Sequence, residues 1–186
     1  MNRYEFISTL RTALTGKVPG TTVEDNIQYY EEYIEIQLRQ GKDEAAVLDG
    51  RILHFGSVSL TAGPSRSATI FAARTAHKNG RLVSYDTNYR SALWPGETDA
   101  VEWMRIPLPL VDMIKLSEEE LPLLAGVSGL EEGSRALEQQ GIGLVMVTLG
   151  GDGVFCRWQG QAWRQPGVSV KVADTNGAGD TFLGAV

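Results

Sequence analysis

The chain has 186 residues, 42% of them hydrophobic, and a formal net charge of −6 at neutral pH. That is enough apolar material for a buried core. No cluster of Lys and Arg is present to neutralise a phosphate backbone, which excludes nucleic acid as a natural partner. One cysteine, Cys156, excludes an internal disulfide, and His54 and His77 lack zinc-site spacing. No apolar run reaches signal-peptide or membrane-span length, so the expected setting is the reducing cytoplasm, with no membrane span.

Residues 1–50 carry 5 basic and 9 acidic residues and show no strand pattern. Asn2 is placed to cap a helix in which Phe6, Ile7, Leu10, Ala13 and Leu14 recur at three- and four-residue spacing, and Gly16 with Pro19-Gly20 ends it. Thr22 followed by Asp25 predicts a capping box for a second helix, with Val23, Ile27, Tyr30, Ile34 and Leu38 on one stripe before Gly41. Tyr29, Tyr30 and Tyr33 read as core and rim of this small unit. Asp43 to Leu48 is a third helical piece.

From Ile52 onward, short apolar runs alternate with helical patterns. Strands are expected at Ile52 to Phe55, Leu82 to Tyr85, Met113 to Lys115 and Leu144 to Thr148. Helices are expected at Ser65 to Asn79, Thr98 to Arg105, Glu118 to Ala125 and Leu130 to Gln140, with Gly80, Gly126 and Gly141 at their C-caps. Val154 to Arg157 and Gln161 to Arg164 flank Gln159-Gly160 as a hairpin, Val168 to Val172 reads as a last strand, and a final helix opens near Ala178. His54 is expected to be packed, and His77 to lie near a helix C-terminus.

Four places have the chemistry of a site. The turn Asp174-Thr175-Asn176-Gly177-Ala178-Gly179-Asp180 leaves backbone N–H groups unpaired at a helix start, and glycine admits an anion close to them. Asp180, in the first helical turn, can accept a proton from a hydroxyl as those amides stabilise a transferring phosphoryl group. An acidic cap after a glycine turn is the plainer reading of such a sequence; the seven-residue context favours the chemical one. Thr148-Leu149-Gly150-Gly151-Asp152-Gly153 follows a strand and suits either an ordinary turn or a nucleotide contact. Asp86, Asn88 and Arg90 follow another strand, where ligands of open α/β sheets bind; Arg90 suits a phosphate, and a polar loop with an Asx turn is the alternative. Lys115 to Glu120 follows a third, with Ser117 as an N-cap. Neither a P-loop nor a dinucleotide fingerprint is present.

These motifs carry a resemblance. Residues 51–186, through DTNGAGDTF, TLGGDG, SYDTNYRSALW and KLSEEEL, resemble the ribokinase or PfkB family of carbohydrate kinases, and bacterial fructokinases most. The resemblance implies part of a Rossmann-like three-layer αβα ribokinase fold, an α/β architecture preceded here by a small all-α segment. It implies Asp180 as catalytic base, Gly177, Ala178 and Gly179 as anion hole, and Thr148, Gly150, Gly153 and Asp174 as ATP contacts. Asp86, Asn88 and Arg90 would meet substrate or phosphate, and Glu120 would meet Mg2+ indirectly, through water. ATP and Mg2+ are the implied cofactors, and a sugar or sugar acid the substrate. Ser117 stands three residues before Glu120 where the family usually has asparagine. The family's N-terminal sugar-binding part, its lid and its C-terminal helices have no counterpart here, so the expected chain is a truncated kinase domain. Residues 1–48, through MNRYEF and NIQYYEEYI, resemble the helical HAAS domain of bacterial membrane-associated signalling proteins. A fusion follows, with two functional readings: sugar phosphorylation, or a non-enzymatic fragment whose helical front binds another protein.

Overall fold

The computed structural model describes residues 2–16, 19–41, 43–44, 50–170 and 177–185. The expected helix at Asp43 to Leu48, apart from its first two residues, and the stretch Asp174 to Asn176 lie outside them.

The chain opens with two helices, α1 (Arg3–Leu14) and α2 (Gly20–Arg39). Asn2 caps α1 as expected: its side chain accepts from the Glu5 N–H at 2.9 Å, and the Glu5 carboxylate accepts from the Asn2 N–H at 2.9 Å. The box expected at Thr22 does not start α2. The helix begins three residues earlier, at Gly20 with Pro19 at the N-cap, because proline's fixed φ already suits a helix entry and residue 22 then falls within the first turn. Phe6 meets Tyr30 edge to face, with ring centroids 5.6 Å apart, and Arg11 pairs with Glu24. Val23, Ile27 and Ile34 are buried on one stripe, while Tyr29 and Tyr33 are exposed. None of these residues joins the hydrophobic clusters of the sheet that follows.

That sheet has six strands in sequential order: β1 (Ile52–Gly56), β2 (Leu82–Asp86), β3 (Met113–Ser117), β4 (Leu144–Thr148), β5 (Val154–Trp158) and β6 (Gln161–Gln165). The first four are parallel, and β5 and β6 add antiparallel to β4 through the hairpin at Gln159-Gly160. Between the parallel strands run α3 (Gly63–Lys78), α4 (Glu97–Arg105), and α5 (Leu121–Ala125) with α6 (Leu130–Glu138). Right-handed crossovers that always step in one direction place every connecting helix on the same face. Accordingly Ala73, Met104, Leu121 and Leu137 pack in one cluster with Val83, Tyr85, Ile114, Leu116, Val145 and Val147, the alternate residues of the strands. The last helix, α7 (Ala178–Ala185), lies on the opposite face, where Phe182 and Leu183 cover Met146, Val154 and Cys156. The result is the expected α/β architecture with helices on both sides of a mixed sheet.

Three expectations are corrected. The helix placed at Glu118 begins at Leu121; Glu118 to Glu120 form a turn, because Ser117 and Glu120 bond to each other across it. Of the strand expected at Val168 to Val172, Val168 to Val170 are not a strand: Val168 and Val170 are exposed, with no ladder partner among the described residues, and residues 171–172 lie outside those described. His54 is exposed rather than packed, because it points to the face opposite the main helices; its Nδ1 lies 3.1 Å from Ser84 Oγ.

Candidate active site

Parallel strands end together, and the ends carry the chemistry. Gly56 is in register with Asp86, Asp86 with Lys115, and Ser117 with Thr148, so the loops after β1 to β4 share one edge of the sheet. This is the edge at which open α/β sheets bind ligands. The start of α7 reaches the same edge, since Gly179 lies against the Lys115 side chain.

The strand alternation that sends Val83 and Tyr85 to the main core sends Asp86 to the α7 face, and Lys115 joins it from β3. Both are buried, at 3% and 7% exposure. Lys115 Nζ donates to Asp86 Oδ1 and Oδ2, each at 3.1 Å. Burial still outweighs the lysine's attraction, and the Asp86 carboxyl is pushed above its ordinary range.

Glu120 ties two of the loops together. Its Oε2 accepts from Thr87 Oγ1 at 2.5 Å and from the Ser117 N–H at 2.7 Å, and its Oε1 accepts from the Tyr89 N–H at 2.6 Å. The segment between is drawn into an Asx turn, with the Asn88 N–H donating to Asp86 Oδ1 at 3.1 Å and Asn88 at φ +35°. Among the described residues no group of three His, Cys, Asp or Glu is arranged to hold a metal ion. Glu120, 8% exposed and bonded through both oxygens, does not fit direct ligation; a contact through water on Oε1 is compatible with it. Arg90 is exposed, with Nη1 donating to the Tyr89 carbonyl at 3.3 Å.

The turn after β4 is shaped by its neighbours. Gly150 and Gly153 have φ of +58° and +100°. A Cβ on Gly153 would fall on the Gln165 carbonyl oxygen, so this glycine is required by the close passage of the segment after β6. Thr148 Oγ1 donates to the Leu116 carbonyl at 3.4 Å. Gly177, Ala178, Gly179 and Asp180 open α7, with Gly177 at φ +74° and Asp180 exposed in the first turn. Asp174 lies outside the described residues.

The structure therefore brings Asp86 and the Gly177 to Asp180 turn to one edge of the sheet, with Thr148, Asn88 and Glu120 at the ends of adjoining strands. The sequence reading places Lys115 at the start of a candidate segment but assigns it no role. A lysine at a strand end signals nothing until register sets it beside Asp86 and under Gly179.

Comparison with known proteins shows the family. The model of the pfkB family of carbohydrate kinases matches residues 3–186, and the chain belongs to that family. Within the family it is similar to fructokinases. It is 38% identical over 138 residues to fructokinase-1 of Oryza sativa subsp. japonica, covering 73% of this chain and 42% of that protein. To the fructokinase of Klebsiella pneumoniae it is 38% identical over 145 residues, covering 77% and 47%. Among solved structures, the fructokinase of Vibrio cholerae O395 in its fructose, ADP and calcium ion bound form superposes with a TM-score of 0.67 at 38% identity, over 73% of this chain and 44% of that one. The aminoimidazole riboside kinase of Salmonella enterica, complexed with aminoimidazole riboside and an ATP analog, gives 0.65 at 32%, over 72% and 45%. The chain thus spans less than half the length of these relatives.

Proposed function

We propose that this chain derives from, and tests as, an ATP-dependent kinase that phosphorylates a sugar hydroxyl, with fructose the first sugar to try. The observation that carries the reading is the meeting of the Gly177 to Asp180 helix start with the buried Asp86–Lys115 pair at the ligand-binding edge of the sheet. In this reading Asp180 takes the proton of the acceptor hydroxyl, and the N–H groups of Gly177 to Gly179 hold the transferring phosphoryl group. The hydroxyl oxygen bonds to the terminal phosphorus as the bond to the bridging oxygen of ADP breaks, its electron pair leaving with ADP. Asp86, Asn88 and Arg90 face substrate or phosphate, and Thr148, Gly150, Gly153 and Asp174 line the nucleotide side. Mg2+ supplies charge neutralisation to the nucleotide phosphates when bound, with Glu120 contributing through water. ATP and a lone thiol both suit the cytoplasm.

The experiment is fructose-dependent ADP release by the chain and by Asp180→Asn. The expected result is turnover by the natural sequence and a loss of at least about 100-fold in the variant. Equal turnover by both would remove Asp180 from its assigned role.

A second reading is favoured by one observation: Val23, Ile27 and Ile34 of α2 form a buried stripe, and among the described residues none from α1 or α2 belongs to the clusters of the sheet. Residues 1–48 then form a separate HAAS-like unit, fused to a partial kinase domain at 51–186, which recruits a protein through its exposed face. No ADP release from a folded chain, together with a binding partner lost when Tyr29 and Tyr33 are changed to Ser, supports this reading over the first.

A further inference from the structure

Helix α2 carries more apolar surface than its own packing uses. Val23, Ile27 and Ile34 share one stripe, which is buried. Tyr29, Tyr33 and Ile36 share another, within roughly 60° of arc and about 135° round the helix from the first, at about 100° per residue. These three are 62%, 45% and 52% exposed. A single exposed apolar side chain is ordinary, but three at i, i+4 and i+7 make a continuous face. The face is also held still. Tyr29 meets Tyr30 edge to face with ring centroids 5.2 Å apart, and Tyr30 meets Phe6 of α1 in the same way. Tyr29 therefore has less rotamer freedom to lose when a partner covers it.

Charge decides which partner fits. Asp25 and Glu32, both exposed, stand four residues before Tyr29 and three after it, on one border of the face. Arg11 pairs with Glu24 and Arg39 with Glu35, and among the described residues neither Asp25 nor Glu32 has an ion-pair partner. A second copy of the chain presents the same face and brings no cation to answer these acids, and an anionic lipid surface repels them. Lys or Arg is attracted twice over, by the carboxylates and by the open faces of the Tyr29 and Tyr33 rings. We propose that the Tyr29, Tyr33 and Ile36 face of α2 docks a helix of another protein, one whose apolar stripe is edged by Lys or Arg. This rests on the second reading above, in which residues 1–48 recruit a protein, and it supplies the chemistry of that protein. The partner's apolar side chains cover the two tyrosines and Ile36, and its cations stand over Asp25 and Glu32. The apolar contact is small, so the complex is a weak one that salt loosens further.

The test is fluorescence anisotropy of a labelled amphipathic peptide, LKKLLKLLKKLLKL, titrated with the whole chain, beside its acidic counterpart LEELLELLEELLEL. The basic peptide is expected to bind and the acidic one not. Tyr29→Ser with Tyr33→Ser should weaken binding at least about 10-fold. Asp25→Asn with Glu32→Gln should weaken it roughly 3- to 10-fold and make it less sensitive to salt. Glu97→Gln with Asp99→Asn, which removes as many exposed acids from α4, should leave it unchanged. Should the serine pair lower the helical signal in circular dichroism, Ile36→Lys is read in its stead with the same expectation. Binding of neither peptide, or equal weakening by the α4 pair, overturns the proposal, the second outcome marking a general attraction between opposite charges. Binding of the acidic peptide that is lost with Tyr29 and Tyr33 also overturns it, while leaving the recruiting role of residues 1–48 in place. Adhesion of the chain to phosphatidylglycerol vesicles, or self-association, that is lost with the same tyrosines overturns the recruiting role and this inference together.

Discussion

The residue that most clearly shows competing forces is Asp86. Its carboxyl accepts two contacts from Lys115 and one from the Asn88 N–H, all of which favour the ionised form, yet burial leaves it above the ordinary range. A folded-state value raised above the unfolded one means the native protein binds the proton more tightly. The stabilisation is fully present below the ordinary aspartate value, near about 4, and is lost as pH rises through the higher folded value. Melting temperatures of the natural chain and Asp86→Asn, measured from acid to neutral pH, should therefore diverge in one direction: the natural chain loses ground to the variant as pH rises. A difference that moves the other way would show that Lys115 outweighs burial. Glu120 is held by three hydrogen-bond donors that need it. Thr87 is fully buried, and Glu120→Ala strips an acceptor from its hydroxyl and from two backbone N–H groups. We expect a loss of at least about 2 kcal/mol in urea denaturation, larger than for any exposed carboxylate of the chain.

At the scale of elements, the legible parts were those in which the signal is local. Short apolar runs marked β1 to β4 to within two residues, and Gly80, Gly126 and Gly141 do have positive φ at helix ends, as C-caps require. The start of α5 was misplaced because the acids at 118–120 suit a first turn by propensity, whereas Glu120 is claimed by Thr87 from 33 residues away. The same non-local origin hid Lys115 and the reason for Gly153, each of which depends on a strand or segment distant in sequence. Gly133 is another such position. It lies inside α6, where alanine is ordinarily preferred by about 1 kcal/mol, yet a Cβ there would sit 2.8 Å from Leu121 Cγ and Cδ2. Leu121 is 1% exposed and has nowhere to go. Overpacking therefore wins over propensity, and Gly133→Ala is expected to destabilise by about 1–3 kcal/mol, read as a lower urea midpoint at an unchanged slope. A stabilised variant would mean that α5 and α6 can part without penalty.

For the whole molecule, the consequence of stepping the sheet in one direction is an asymmetry between its faces. Helices α3 to α6 cover one side, while on the other, among the described residues, Phe182 and Leu183 of α7 pack against Met146, Val154 and Cys156 and its start lies against Lys115. Beyond it, Ile52 and Leu82, paired in register on β1 and β2, are 54% and 50% exposed, and β1 forms an edge of the described sheet. Trp158 and Trp163 stand similarly open at the far side. An apolar strip beside an unpaired strand edge invites pairing with another chain, both through the backbone ladder and through the side chains. The net charge of −6 opposes this only at low ionic strength, because salt screens repulsion between copies and leaves apolar contact intact. Light scattering should accordingly show an apparent mass that rises with protein concentration, and rises more steeply with added salt. Replacing Ile52 and Leu82 by Lys places two charges on the strip without touching the main core or the Asp86–Lys115 pair. That double variant should remain monomeric over a concentration range in which the natural chain associates, and equal association of both would place the sticky surface elsewhere, with the tryptophans of β5 and β6 the next to change.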